Sequence, residues 1–434
     1  MQVVYRGKPQ RAPGPDFRGA LLLLDGDLRH GDVEVHVRSS DWWTHRHDRD
    51  HRYDGVILHV VYQEDPERPV RTARGAEVPC LVLEGRVAGP ERSADQPGLG
   101  EDDCRRRLAA LSDADLGARL DQLGDRRLLD RAAALEADLT TAEPEQVLYE
   151  RLMEVLGYSQ NRWPCLELAR RLPVARLYAL AHRRPPGERA ALCQGLLFGV
   201  AGLLPSQRPL ATPLDWASAE AADELERTWA AFGGEWESEV VGAGAWSFGV
   251  RPLNSPARRL AGMSHFLAAH LESDLYQTMA RELRSPGGAV AVRQLVDLLR
   301  VEAPESYWAG YFDFGRPVGA RTASLVGPER AREAVVNVCL PLALACSLSS
   351  GDTLTAEAAW SAYLAAPRLA PNEVTRWMMA EVLGRGRARL VDSARRQQGL
   401  HHLYRTACDQ RRCDDCPLLG TQDRPSRKAR KVVE

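Results

Sequence analysis

Hydrophobic positions in residues 1–90 fall in short runs and strict alternations, the spacing of strands rather than helices. Ala20–Leu24 is an apolar run, and from Asp32 to Arg38 polar residues alternate with Val33, Val35 and Val37. Val56–Tyr62 is apolar except for His59, which predicts a central strand covered on both faces. Val78–Leu83 is a fourth strand between Gly75 and Gly85, and Pro79 within it predicts an edge position. The polar stretch Trp42–Tyr53 separates the second strand from the third and is long enough for about three helical turns. Strands with one intervening helix predict a small α/β domain with a mixed sheet.

The period changes after Cys104. Leu108, Leu111, Leu116, Leu120 and Leu123 share one helical face, as do Val292, Leu295, Val296 and Leu299. The pattern divides the chain into an α/β domain at 1–90, a Gly/Pro/acidic linker at 91–103 and a helical domain at 104–398. A cysteine metal knuckle at 399–420 and a basic disordered tail at 421–434 follow. No repeat of fixed period occurs, so a solenoid is not expected.

Across 434 residues, 44% are hydrophobic and 27% charged, with a net charge of −2. That balance excludes global disorder and a uniformly basic nucleic-acid binder, and leaves room for a local basic groove. Lysines occur only at Lys8, Lys428 and Lys431, so arginine abundance here reflects coding bias more than phosphate contacts. No run of about eighteen apolar residues is expected to span a membrane, and Met1–Arg11 has no apolar core of signal-peptide length. Nine cysteines with one small cluster fit a reducing cytosol better than a disulfide scaffold, so a cytoplasmic protein without a membrane partner is expected.

The candidate chemistry concentrates in Gly31–Trp42. On a strand, Asp32, Glu34, His36 and Arg38 share one face, which either meets solvent or lines a site. The neighbourhood favours a site. Six of the eleven histidines (His30, His36, His45, His47, His51, His59) lie close together, beside Asp41, Asp48, Asp50 and Asp54. A histidine inside an apolar strand, such as His59, needs a polar partner. Imidazoles clustered with carboxylates point to a shared metal or acid–base site.

The order Pro15-Asp16, a strand, Glu34-Val35-His36 on the next strand, a helix and a buried strand resembles the PD-(D/E)XK nuclease superfamily. The resemblance implies a restriction-endonuclease-like fold in which Asp16 and Glu34 bind Mg²⁺ or Mn²⁺. His36 stands where that superfamily has its lysine, so it would assist the nucleophile only in a suitable protonation state. His47 and Tyr53 match polar residues of the following helix, with Asp32, Arg38, Asp41, Asp50 and His59 in support. The superfamily's first helix has almost no room before Pro15, so either the start is truncated or the fold differs from that superfamily's. A second resemblance spans most of the chain. The string GDVEVHVRSSDWWTHRHDRDHRYDGVILHVVY, the segment Gly157–Pro173, the stretch Arg251–Ala261 and the C-terminal cysteines are similar to an uncharacterised bacterial family, a domain of unknown function.

Further along, Arg251, Arg258 and Arg259 are candidates for a phosphate-binding groove, or else form a solvated face or bond helix-end carbonyls. Tyr307, Trp308, Tyr311, Phe312 and Phe314 are expected to pack together, with base stacking as the other reading. Cys408, Cys413 and Cys416 have the spacing of a structural Zn²⁺ site, with His402 or Cys346 as fourth ligand and an iron–sulfur cluster as the alternative. The expected function is a divalent-metal-dependent nuclease or phosphodiesterase acting on DNA or RNA. Two alternatives stand beside it: a non-catalytic nucleic-acid-binding or scaffold protein with a decayed nuclease fold, and a different metal hydrolase. The latter would use His45, His47, Asp50 and His59 with Glu34 as base.

Overall fold

Strand β3, Phe17–Leu24, turns back antiparallel onto β4, Asp27–Arg38, with Phe17 opposite Val33 and Leu24 opposite Asp27. β4 is longer than the alternation predicted and runs parallel to β5, Val56–Gln63, which runs parallel to the short edge strand β8, Cys80–Val82. The outer strands β1, Gln2–Tyr5, and β2, Lys8–Pro9, pair antiparallel with β3. A separate ladder joins β6, Val70–Arg71, to β7, Glu77–Val78. The expected fourth strand is thus split at Pro79, whose carbonyl accepts the His59 N–H at 2.9 Å at the sheet edge. Gly31 lets β4 approach β5: a Cβ there would stand 2.3 Å from Ile57 Cγ2 and 2.7 Å from the Gly55 carbonyl oxygen.

The computed structural model describes residues 1–5, 8–9, 14–24, 27–63, 65, 69–84, 101–409, 413 and 416–419. They fall into two compact units, Met1–Pro97 and Gly98–Glu434. The expected linker at 91–103 lies outside the described residues up to residue 100, after which helix α2, Glu101–Ala109, begins. The basic tail at 421–434 lies outside them too.

The predicted helix across Trp42–Tyr53 is not continuous. Its single α-turn, α1 (Asp41–Thr44), is followed by 3₁₀ turns at His47–Arg49 and His51–Tyr53. Arg46 adopts a left-handed backbone, φ 63°, which ends the first turn. Asp50 is extended and caps the last turn by accepting the Arg52 N–H. These breaks redirect the histidines that a straight helix would spread around its circumference.

The second unit is built on helix Asp113–Leu139, capped by Ser112, whose hydroxyl accepts the Asp115 N–H at 3.0 Å. Leu116 and Leu120 of the predicted stripe are fully buried, as is Leu295 of the second stripe. Helix Ala394–Leu403 packs so closely on the first that a Cβ at Gly399 would lie 2.2 Å from the Leu120 carbonyl oxygen. Short ladders interrupt the helices, Val301–Glu302 with Ser324–Val326 and Tyr311–Asp313 with Arg316–Pro317. Trp308 and Phe314 are buried and Tyr307 stacks on Tyr311 at 4.2 Å, so the aromatic cluster packs the core.

Contrary to the expectation from the sequence, two helical runs, Pro186–Gln207 and Pro328–Ser350, are long and apolar enough to cross a membrane. About two thirds of each apolar window is buried within the unit, where residues such as Leu196, Phe198, Leu340 and Leu342 are inaccessible. A buried core helix is apolar on every side for the same reason a spanning helix is.

Candidate functional site

The alternation in β4 has the opposite consequence to a solvated polar face. Glu34 is 5% exposed, while Val35 and Val37 on the other face are 39% and 67% exposed. Glu34 and His36 of the polar face are thus turned inward, while Arg38 at its end is exposed and Val33 of the other face is buried. β5 brings His59 alongside, fully buried, and the broken segment after α1 folds His45 and His47 over the same spot.

One ring nitrogen from each of His36, His45 and His47 lies within 4.8 Å of the others. Glu34 Oε1 stands 3.3 Å from His36 Nε2 and 3.4 Å from His47 Nε2. Glu34 is held from behind, its Oε2 accepting the Asp16 N–H at 2.9 Å. His36 Nδ1 meets His59 Nε2 at 2.8 Å, and His45 Nδ1 meets His36 Nε2 at 3.1 Å. Tyr53 stacks on His47 at 3.7 Å, and the buried indole of Trp42 presents itself edge-on to His47 and tilted to His59. Burial pushes the His59 imidazole down to about 4, helped by His36 and opposed by Glu34. Burial lowers His36 as well, against the raising effect of Glu34. Burial thus favours the neutral form of both rings, the form that ligates a metal.

Neither ring nitrogen of His47 has a hydrogen-bond partner although both are buried, and His59 Nδ1 is equally unpartnered. Buried polar atoms are seldom left so, and an ion among the rings would satisfy one nitrogen of His47. The residues present fit a divalent metal.

The expected residues divide clearly. Glu34, His36, His47, Tyr53 and His59 come together, and His45 joins them. Asp16 touches the group through its N–H, but its Oδ2 accepts the Val35 N–H at 3.0 Å, so its carboxylate lies on the β4 backbone beside the imidazole cluster. Asp32 accepts the Gly19 N–H at 2.9 Å, and burial raises its pKa. Asp41 accepts the Arg38 N–H at 3.1 Å, while the Arg38 guanidinium is exposed near Asp65. Asp50 is engaged by Arg52 in a forked pair that lowers its carboxyl to about 2, and it reaches His47 only through a weaker electrostatic attraction. His45 was legible only as part of His45-Arg46-His47, because the left-handed turn at Arg46 decides where it points.

The arginines expected to line a phosphate groove do not do so together. Arg258 is 1% exposed and donates to the carbonyls of Thr322 and Ser324 at 3.1 and 3.0 Å. Arg259 donates to the Leu325 carbonyl at 2.6 Å and to the Tyr158 hydroxyl at 2.9 Å. Both brace the interior because unpaired carbonyls there must find donors; only Arg251 is exposed.

At the tail, the cysteine sulfurs do not form a set whose ligand atoms all lie within 4.8 Å, as the histidines do, so the expected knuckle is not closed among the described residues. Burial pushes the Cys408 thiol up to about 12, with Cys416, Cys104 and Cys413 adding to the effect. Cys104 on α2 is thus the fourth sulfur of the neighbourhood. His402 instead faces Asp130 at 3.6 Å, and Cys346 hydrogen-bonds Tyr276.

The family model described as "Protein of unknown function (DUF2851)" matches residues 1–368. No curated protein and no solved structure matches the chain.

Proposed function

The chain belongs to the family of unknown function DUF2851, and from that premise we propose that its N-terminal unit is a divalent-metal-dependent hydrolase cleaving phosphodiester bonds of nucleic acid. The observation that carries this reading is the convergence of His36, His45 and His47 beside Glu34, with the buried nitrogens of His47 unpartnered. A bound divalent ion supplies an activated water and polarises a phosphoryl oxygen. Imidazole donors favour a transition metal such as Zn²⁺ or Mn²⁺ over Mg²⁺.

Each residue then has a physical task. His36, His45 and His47 would hold the ion, and His59 would orient the His36 ring through the contact at its Nδ1. Glu34, fixed by the Asp16 N–H, is the carboxylate placed to accept the proton of the attacking water. Trp42 and Tyr53 wall the histidines from solvent on one side. The order of Asp16, Glu34, a helical segment and a parallel strand resembles that of the PD-(D/E)XK superfamily, and the resemblance supports phosphodiesters as the substrate class.

A second reading, a histidine-based metal hydrolase with a different ester substrate, is favoured by the Asp16 carboxylate engaging the β4 backbone. Incubating the purified chain with labelled single- and double-stranded DNA and RNA, plus simple carboxyl and phosphate esters, in Zn²⁺, Mn²⁺ or Mg²⁺ separates the two. Cleavage of nucleic acid with Zn²⁺ or Mn²⁺ is expected. Hydrolysis of simple esters alone moves the assignment to the second reading, and a folded, metal-loaded protein inert toward every substrate overturns both.

For the tail we infer a structural metal, Zn²⁺ or an iron–sulfur cluster, held by Cys104, Cys408, Cys413 and Cys416. The gathering of four thiols from the two ends of the second unit supports it.

A further inference from the structure

The second unit contains a polar cavity of about 560 Å³. Its wall carries six arginines, Arg127, Arg131, Arg151, Arg162, Arg330 and Arg405, against two glutamates, Glu154 and Glu333. Arg151 and Arg162 pair with Glu154, Arg151 pairs with Asp138 as well, and Arg330 pairs with Glu333. Arg127 and Arg131 have neutral partners instead: Gln398 accepts from Arg127 Nε at 2.6 Å, and Asn337 accepts from Arg131 Nη1 at 3.1 Å. Among the described residues neither stands within ion-pair distance of a carboxylate. Positive charge is therefore in excess inside one cavity.

Two further features point to a ligand. The buried Nε atoms of Arg151 and Arg330 have no hydrogen-bond partner. Tyr158, in the Gly157–Pro173 segment singled out in the sequence, adopts a left-handed backbone, φ 54°. That conformation is strained for a tyrosine and places its ring 3.3 Å beneath the Arg330 guanidinium. Burial lowers the Arg127 guanidinium to about 9, with Arg131 and Arg405 adding to it, and burial followed by Arg162 lowers Arg131 to about 10. Both stay protonated at neutral pH, so the like charges repel one another until an anion enters.

We propose that this cavity binds a compact ligand carrying two adjacent phosphate groups, held by Arg127 and Arg131 with the paired arginines around them. Guanidinium forks match phosphate oxygens, and the volume is that of a small-molecule site rather than of a track for a polymer. The proposal stands apart from the hydrolase reading, since every lining residue belongs to the second unit.

Calorimetric titration of the full chain with pyrophosphate, ADP, inorganic phosphate and a short oligothymidylate tests it, with melting temperature read alongside. Pyrophosphate, ADP or both should bind more tightly than inorganic phosphate, and weaken as salt rises. Tight pyrophosphate binding places the recognition in the two phosphates alone, and binding of ADP but not pyrophosphate assigns the site to nucleotides. Arg127→Met/Arg131→Met should lose roughly 10- to 100-fold in affinity or more. Arg127→Lys/Arg131→Lys should keep part of it. Relief of charge repulsion should also raise the ligand-free melting temperature of the Met variant. Binding of the oligonucleotide alone, no binding of any phosphate probe, or equal binding by wild type and the Met variant overturns the proposal.

Discussion

His36 Nδ1 and His59 Nε2 lie 2.8 Å apart on neighbouring parallel strands, so a fully buried histidine sets the ring orientation of a candidate ligand. Outer-shell partners of this kind tune metal affinity. His59→Leu should lower metal affinity roughly 10- to 100-fold, and His59→Gln, which keeps a hydrogen-bonding group, should recover part of it. Competition with a chromophoric chelator measures this; unchanged affinity in His59→Leu would remove the orienting role.

Glu34 and Asp16 should separate in their effects. Glu34→Gln removes the proton acceptor and should reduce cleavage roughly 100- to 10,000-fold. Asp16→Asn keeps the backbone N–H that holds Glu34 and an oxygen to accept the Val35 N–H, so its loss should be much smaller. Single-turnover cleavage of labelled nucleic acid under saturating metal gives the comparison. Equal losses would place the Asp16 carboxylate among the metal ligands.

The tail metal inferred above, if bound, should depend on Cys104 rather than His402, which faces Asp130. Elemental analysis of the purified chain should find about one equivalent of zinc or an iron–sulfur complement. Cys104→Ser and Cys408→Ser should each lose it, while His402→Gln retains it. Retention in Cys104→Ser would assign the fourth position elsewhere.

His401 makes stability pH-dependent. Burial, then Arg127, Arg405 and Arg131, lowers its pKa from 6.5 to about 3. Between those values the unfolded chain binds a proton that the folded chain refuses, so stability is full above the unfolded pKa and falls as pH drops toward the folded one. His401→Gln should flatten that part of the profile. Urea midpoints measured across this range check it, and an unchanged slope in the variant would refute the assignment.

Much of the N-terminal unit was legible because a two-residue period is a local property. Val56–Tyr62 reads as a buried strand on its own, and β5 is one. The cluster of histidines and carboxylates was equally visible as a composition.

Local order is written along the chain: strands before helices, Glu34 and His36 on one face, leucine stripes where the second unit packs, and three cysteines close together near the end. Tertiary structure alone decided which face of β4 was buried, because the partner strand and the turn over it come from elsewhere in the chain. It also turned His47 inward, close to the exposed His45, through one left-handed residue, Arg46, whose conformation no periodicity reports. For the same reason it consigned Arg258 and Arg259 to interior carbonyls and brought Arg330 into one cavity with Arg127 and Arg131, which share a helix far away in sequence. An arginine's role is set by whatever acceptor lies within reach of its long side chain, and folding, not spacing, chooses that acceptor.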